Sequence, residues 1–369
     1  MTDQSADRSF MALALALGRR GLGNTWPNPA VGAVLVRPED GQPVIVGRGW
    51  TQPGGRPHAE IEALRRAGAA ARGATLYVTL EPCSHHGKTP PCADAIVAAG
   101  IARVVSALED PNPEIAGQGH GRLRAAGIAV EVDLGAEQAR RDHAGHLRRM
   151  RDGRPHVTLK LAVSADHKAG LAGRRPAAIT GEPARARVHR LRAMNDAILV
   201  GIGTVLTDDP QLTCRLPGME ARSPVRVVLD ARLRLPPGSA LATSARATPV
   251  WVVAAPDAPA EAERSLRELG VEVLRAPAQA GRLDLAAVLR MLAGRGITRL
   301  MVEGGPTVAA AFVAADLVDA AALFRSPKTI GPDGVDALEG MRIEAMTARL
   351  TALGREPVGE DSVEFFERA

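Results

Sequence analysis

The sequence predicts an α/β protein of two domains, and three observations carry that expectation. The chain has 369 residues, more than one core usually organises, because domains hold roughly 100–200 residues. Short apolar runs of strand length alternate with stretches of helical composition in both halves. Between the halves, a highly charged stretch over 136–153 closes on Gly153-Arg-Pro155. A boundary there gives domains over 1–150 and 151–369.

Taken in order, residues 10–18 have helical composition and end in a glycine-rich turn through Gly21 and Gly23. Residues 31–36 read as a buried strand, with 44–49 as its hairpin partner. The Ala-, Leu-, Glu- and Arg-rich stretch 59–71 predicts a helix with His58 and Glu60 in its first turn. Residues 75–80 form a strand leading directly into Glu81-Pro-Cys83, and Pro91 precedes a helix over 92–99. The next strand is 104–106. Asp110-Pro-Asn-Pro113 is a turn, and the segment to Val132 supplies one more helix and strand. In the second half 156–163 alternates as a strand and 184–194 is helical. Strands follow at 197–200, 225–229 and 250–254, and residues 300–307 run from a strand through a Gly-Gly turn into a helix. No internal repeat is present.

The composition narrows the class. With 46% hydrophobic residues and a mean hydropathy of −0.03, the chain reads as soluble and globular. A net charge of +5 suits anionic small substrates such as sugar phosphates as well as nucleic acid. No run of five Lys or Arg occurs, and aromatics are only 2% of residues, too few for stacking bases. No nucleic-acid partner is therefore expected. Three cysteines argue against a disulfide framework and for a reducing compartment. Cys214 reads as a small packed side chain. Residues 1–10 are polar and carry Asp3 and Asp7, unlike a secretory signal. No apolar run reaches the ~18 residues of a membrane span, so the expected location is cytoplasmic.

The most informative stretch is His58-Ala-Glu60 with Pro82-Cys83 and, further on, Cys92. One imidazole and two thiolates can hold Zn²⁺ and leave its fourth position open to water, whose pKa the metal lowers. Glu60 stands where a carboxylate would move the proton from water to a departing amine. Ligands at the starts of two helices that follow strands can converge on one metal, and helix N-termini favour thiolate. The pattern predicts hydrolytic loss of an exocyclic amine from a nitrogen heterocycle. The spacing from Cys83 to Cys92 is longer than the Cys-x-x-Cys of most zinc deaminases, so the loop between them needs its own explanation. Three ligands and a water already fill a catalytic zinc, which leaves His85 and His86 as loop or substrate contacts.

That loop, Glu81-Pro-Cys-Ser-His-His-Gly-Lys-Thr-Pro-Pro-Cys92, resembles the deaminase half of the bifunctional riboflavin-biosynthesis deaminase/reductase family. Pro27-Asn-Pro-Ala-Val-Gly32, His58-Ala-Glu60, Asp110-Pro-Asn-Pro113, Ala116-Gly117 and Gly119 match it in order and spacing. The resemblance implies a cytidine-deaminase-like fold and a substrate, diaminohydroxyphosphoribosylaminopyrimidine, whose ring amino group is hydrolysed. It implies His58, Cys83 and Cys92 as zinc ligands and Glu60 as proton shuttle. It also implies that Asn28 reads the pyrimidine edge and that Lys88 contacts the phosphorylated substrate. Thr51 stands where some members carry His.

The family's other half is a dihydrofolate-reductase-like domain that uses NADPH to reduce ribosyl to ribityl. Lys160-Leu-Ala162, Arg192, Gly201-Ile-Gly-Thr204, Asp208-Asp-Pro-Gln-Leu-Thr213, Arg215, Pro224-Val-Arg-Val-Val-Leu-Asp230 and Val302-Glu-Gly-Gly-Pro-Thr307 resemble it. By that resemblance Ala162, Thr204, Asp208, Gly304, Gly305, Pro306 and Thr307 contact NADPH. Arg192, Asp208, Leu212, Arg215 and Glu303 contact the substrate, the arginines through its phosphate. Independently, a Gly-Gly turn between strand and helix lets backbone approach a pyrophosphate. The family also implies a homo-oligomer. Departures gather here: Ser164-Ala-Asp-His167 replaces Ser-Leu-Asp-Gly, Pro176 and Ala178 replace a Ser and a Trp, and Ala231 and Ala320 replace a Ser and a Glu. Each lost hydrogen bond costs about 0.5–1.5 kcal/mol, which predicts weakened NADPH binding. Two other readings compete: a deaminase whose reductase-like domain is impaired, and a deaminase that edits nucleic acid.

Overall fold

The computed structural model describes residues 4–85, 90–113, 115–175 and 178–368. The chain divides into two compact units, Met1–Gly153 and Arg154–Ala369.

In the N-terminal unit, helix α1 (Gln4–Gly18) is followed by strands β1 (Gly32–Glu39) and β2 (Gln42–Trp50), then α2 (Ala59–Ala67) and β3 (Thr75–Val78). Next come α3 (Cys92–Ala98), β4 (Arg103–Ser106), α4 (Gln118–Ala125), β5 (Ala129–Val132), α5 (Ala136–Asp142) and α6 (Ala144–Asp152). The sheet runs β2-β1-β3-β4-β5. β1 is antiparallel to both neighbours, and β3, β4 and β5 are parallel. Its core is aliphatic: Val34, Leu35, Leu76, Val78, Ile96, Val104 and Val105 are buried beneath Ala14, Ala59 and Ala63.

Three expectations change. The first helix begins at Gln4, not near residue 10, because Asp7 is buried in an ion pair with Arg103 (2.7 Å) and a hydrogen bond from Tyr77. The charged stretch 136–153, for which the sequence offered no secondary structure, forms α5 and α6, which bury Ala139 and Leu147. His58 is the residue before α2 rather than within its first turn, with extended backbone at φ −69° and ψ 160°.

The C-terminal unit begins with β6 (His156–Val163), β7 (Lys168–Gly170), α7 (Glu182–Ala193), β8 (Ala197–Gly201), α8 (Ile202–Asp208) and β9 (Val225–Leu229). It continues through α9 (Ala240–Thr243), β10 (Val250–Ala254), α10 (Ala260–Glu268), β11 (Glu272–Arg275), β12 (Ala278–Gln279), β13 (Arg282–Leu283) and α11 (Leu285–Gly294). β14 (Arg299–Val302), α12 (Pro306–Ala314), β15 (Ala320–Arg325), β16 (Val335–Asp336), β17 (Thr351–Val358) and β18 (Asp361–Glu367) complete it. A nine-stranded sheet runs β11-β10-β9-β8-β14-β6-β15-β18-β17. It is parallel from β11 to β15, and the last hairpin adds antiparallel strands. Every residue of β8 and β10 is buried, as parallel strands covered by helices on both faces require. The hairpin β17–β18 was not foreseen, since β17 (T-A-L-G-R-E-P-V) is almost wholly exposed and has no apolar alternation to betray it.

No helix among the described residues is long and apolar enough to cross a membrane.

Candidate functional site

In the N-terminal unit, packing of α2 on β2 brings His58 into place. A Cβ on Gly49 would lie 2.3 Å from the carbonyl oxygen of Ala59, so only glycine lets the helix seat this deeply. Cys83 follows the end of β3, and Cys92 is the first residue of α3. His58 Nδ1 lies 3.3 Å from Cys92 Sγ and 3.7 Å from Cys83 Sγ. The backbone N–H of Cys92 donates to Cys83 Sγ at 3.3 Å. Donor atoms of all three residues lie within 4.8 Å of one another. Zn–N of about 2.0 Å and Zn–S of about 2.3 Å at tetrahedral angles place nitrogen and sulfur about 3.5 Å apart. The donor types and spacings therefore fit a zinc ion.

Proton sharing in the cluster agrees with that chemistry. A hydrogen bond from Cys92, another from His58 and the Cys92 N–H outweigh burial and hold the Cys83 thiol down to about 4. Cys92 is pushed up by its bond to Cys83 and by burial, and His58 is raised by its bond to Cys83. Deprotonation is thus easiest at Cys83, and metal ligation displaces the protons that remain on the other donors. Glu60, 3% exposed, stands in the first turn of α2, raised by burial and hydrogen-bonded to Cys92.

Around this centre, Asn28 Nδ2 donates to the Gly55 carbonyl (2.8 Å) and lies 3.5 Å from His58 Nε2, on the far side of the ring from the sulfurs. Thr51 is buried, and its hydroxyl accepts the Val31 N–H at 3.0 Å, tying the start of β1 to the end of β2. His85 is exposed. Lys88 and His86 lie outside the described residues, as does Pro176.

The C-terminal unit assembles a different cluster. Glu303, just past β14, receives Lys160 Nζ from β6 at 3.3 Å, and Arg192 Nε and Nη2 from α7 at 3.0 Å each. Burial would raise the Glu303 carboxyl, but the two cations outweigh it and hold it down to about 2. Arg192 Nη1 donates to the Thr213 carbonyl at 3.1 Å, which fixes the 208–215 loop beside the carboxylate. In that loop Leu212 is buried in the left-handed region at φ 56°, a costly backbone for leucine. Arg215 Nη1 donates to Thr213 Oγ1 at 3.3 Å. Asp208 closes α8 and is exposed. Thr204 Oγ1 accepts the Gly305 N–H at 3.1 Å, joining α8 to the turn before α12. A Cβ on Gly304 would come within 2.9 Å of Val308, so the turn has no room for a side chain there. Pro306 and Thr307 open α12, Thr307 exposed and bonded to Glu339, and Ala162 is half-buried in β6. Sequence reasoning listed Lys160 only within a motif and missed its pairing with Glu303. The two are 143 positions apart, and a parallel sheet order was needed to bring them together.

The departures also find places. Ser164 donates to Asp166 (2.6 Å), and Asp166 accepts the N–H groups of Ile330 (3.1 Å) and Gly331 (2.7 Å), so the turn after β6 is intact. His167 stands at φ 62°, a conformation glycine adopts more cheaply. Ala178 is exposed, Ala231 accepts the Ala255 N–H through its carbonyl, and Ala320 opens β15.

Comparison with known proteins decides the family. Residues 155–363 match the RibD C-terminal domain, and residues 4–108 match the cytidine and deoxycytidylate deaminase zinc-binding region. The riboflavin biosynthesis protein RibD of Escherichia coli (strain K12) is 42% identical over 348 residues, 91% of this chain and 92% of that protein. The chain belongs to the RibD family. It is accordingly an enzyme of riboflavin biosynthesis with a deaminase half and a reductase half. RibD of Aquifex aeolicus (strain VF5) is 40% identical over 98% of both chains. Acinetobacter baumannii RibD superposes with a TM-score of 0.87 at 36% identity over 100% of both chains. A Thermotoga maritima protein, described as a diaminohydroxyphosphoribosylaminopyrimidine deaminase/5-amino-6-(5-phosphoribosylamino)uracil reductase, gives 0.84 at 34% identity, covering 98% of this chain and 99% of that one. RibD likeness thus spans both units, including the C-terminal unit where the sequence departs most, and the impaired-reductase and nucleic-acid-editing readings gain no support.

Proposed function

We propose that the chain deaminates diaminohydroxyphosphoribosylaminopyrimidine at the His58–Cys83–Cys92 cluster. We further propose that it reduces the ribosyl group of the resulting aminouracil phosphate beside Glu303. The observation that carries the first half is the convergence of one imidazole nitrogen and two sulfurs at ligand spacing with buried Glu60 alongside. When bound by these three donors, Zn²⁺ supplies Lewis acidity and makes hydroxide available at neutral pH. Glu60, which is not among the ligands, accepts the water's proton and hands it to the leaving amine, so ammonia departs. Asn28 lines the His58 side, where its amide can read the pyrimidine edge, and Lys88 supplies charge for the substrate phosphate.

In the C-terminal unit NADPH supplies the hydride, and the protein's part is positioning. Lys160 and Glu303 set a donor and an acceptor side by side, the pairing that orients sugar hydroxyls. Arg192 and Arg215 place positive charge for the phosphate. Thr204, Asp208, Ala162 and the turn from Gly304 to Thr307 form the cofactor side, with the N-terminus of α12 favouring an anion. The reading places the enzyme in the cytoplasm, acting on a phosphorylated small molecule and not on nucleic acid, as a homo-oligomer like its family.

The test is NADPH consumption by purified protein given the deaminated aminouracil ribosyl phosphate, which bypasses the N-terminal unit. Steady oxidation is expected. Ammonia release from the diaminopyrimidine without any NADPH oxidation would instead make the chain a deaminase alone.

A further inference from the structure

Glu81 is buried beside the cysteine cluster, is not one of its ligands, and is occupied in an unusual way. Its carboxylate accepts four backbone N–H groups. Oε2 takes those of Asp110 and Gly117 (3.0 Å each), and Oε1 takes those of Gly119 (2.7 Å) and His120 (3.2 Å). The side chain is 2% exposed, and the nearest ring nitrogen, His120 Nδ1, lies 3.8 Å from Oε2. His120 is itself fully buried, and neither of its ring nitrogens has a hydrogen-bond partner among the described residues. Together with Glu109 these residues bring a carboxylate pair and an imidazole within 4.8 Å. That group could suggest a second metal site. The four N–H groups speak against it, because they already use the acceptor sites of both Glu81 oxygens.

The bonds have a different consequence. Glu81 precedes Pro82 and Cys83, so its backbone leads directly to a ligand. The loop it grips closes on the same segment: a Cβ on Gly119 would lie 2.0 Å from the Pro82 carbonyl oxygen. Arg122 of α4 donates to the Ser84 carbonyl at 3.3 Å and pairs with Asp94 of α3 at 2.6 Å. Cys83 is therefore held between two anchors. On one side is the Glu81 clamp on Asp110, Gly117, Gly119 and His120; on the other, the Cys83 carbonyl accepts the Ala93 N–H at 3.1 Å. We infer that Glu81 is a positioning residue that acts through Cys83, presetting its sulfur for the metal by locking Asp110, Gly117, Gly119 and His120 against the segment that carries Pro82. The inference rests on the reading of Cys83 as a zinc ligand.

Glu81→Gln is the variant to make. An amide has one acceptor oxygen, and its NH₂ would face N–H donors, so about half of the clamp is lost. Residues that orient ligands from outside the metal's own contacts typically change metal affinity by about 10–100-fold. Zinc affinity of the full chain, measured by competition with a chromophoric chelator, should fall by that factor in Glu81→Gln. Amide exchange at 110, 117, 119 and 120 should rise, while NADPH oxidation with the aminouracil substrate stays unchanged. Excess zinc should restore ammonia release, which it could not do for a misfolded unit, and Glu81→Asp serves as a milder companion if Glu81→Gln does not fold. Wild-type zinc affinity in a folded variant whose loop amides exchange fast would overturn the inference, as would ammonia release that excess zinc fails to restore in a folded variant. A wild-type protein that binds no zinc would instead sink the reading of Cys83 as a ligand.

Discussion

One nitrogen and two sulfur donors converge in the N-terminal unit, whereas in the C-terminal unit a carboxylate sits between two cations. His58, Cys83 and Cys92 share protons among themselves, one thiol held down and one pushed up. Such a cluster gains most when a dication replaces the proton. Glu303 already has Lys160 and Arg192 around it, so the protein alone neutralises it and leaves one positive charge over. On the proposed reading the first cluster is completed by a bound metal, whereas the second is preorganised by folding. Perturbing the metal should therefore act on one reaction only, while perturbing the ion cluster should act on the stability of its unit as well as on its chemistry.

The largest expected effect is at Glu60. Glu60→Gln removes the proton carrier and leaves the ligands, so ammonia release should fall about 10²–10⁴-fold with bound zinc unchanged by metal analysis. Retained turnover would show that the buried carboxylate is a bystander. The counterpart is Lys160→Met, which leaves Glu303 with Arg192 alone. Breaking a buried pair costs about 3–5 kcal/mol, and the surviving arginine should hold the loss in the C-terminal unit to about 3 kcal/mol or less by denaturant titration.

Acid should separate the clusters too. The Glu303 carboxyl is lowered from 4.5 to about 2 in the folded state. Its contribution is therefore full above about pH 4.5 and lost as the pH falls through about 2. The shift corresponds to on the order of 3 kcal/mol. Lys160→Met should flatten this acid limb, and an unchanged limb would mean that other carboxylates set it. The smallest effect is expected at His167, whose left-handed backbone costs roughly 1–2 kcal/mol. His167→Gly relieves that cost but loses the contact with Arg325 Nη1 at 3.3 Å, so a net gain of about 1 kcal/mol at most is expected by thermal melting.

The same contrast explains what the sequence made legible. His58, Cys83 and Cys92 fall within 34 positions, each at the start of a helix or just past a strand, so residue type and local structure sufficed to pair them. The Lys160–Glu303 pair depends on β14 lying beside β6, an order no local pattern encodes. The Glu81 clamp was hidden for another reason. Its partners are backbone N–H groups, which every residue but proline carries, so no residue type marked them in the sequence. Strand boundaries at 225–229 and 250–254 agree with β9 and β10 because continuous apolar runs mark strands buried on both faces. The exposed β17 had no such mark.

The central claim is that two chemically independent sites share this chain. It is tested most directly by stripping the metal with a chelator and assaying both reactions on the same sample, each with its own substrate. Ammonia release should disappear and return with added zinc, while NADPH oxidation continues at its original rate. Ammonia release that survives complete metal removal, or NADPH oxidation that is lost with it, would contradict the claim.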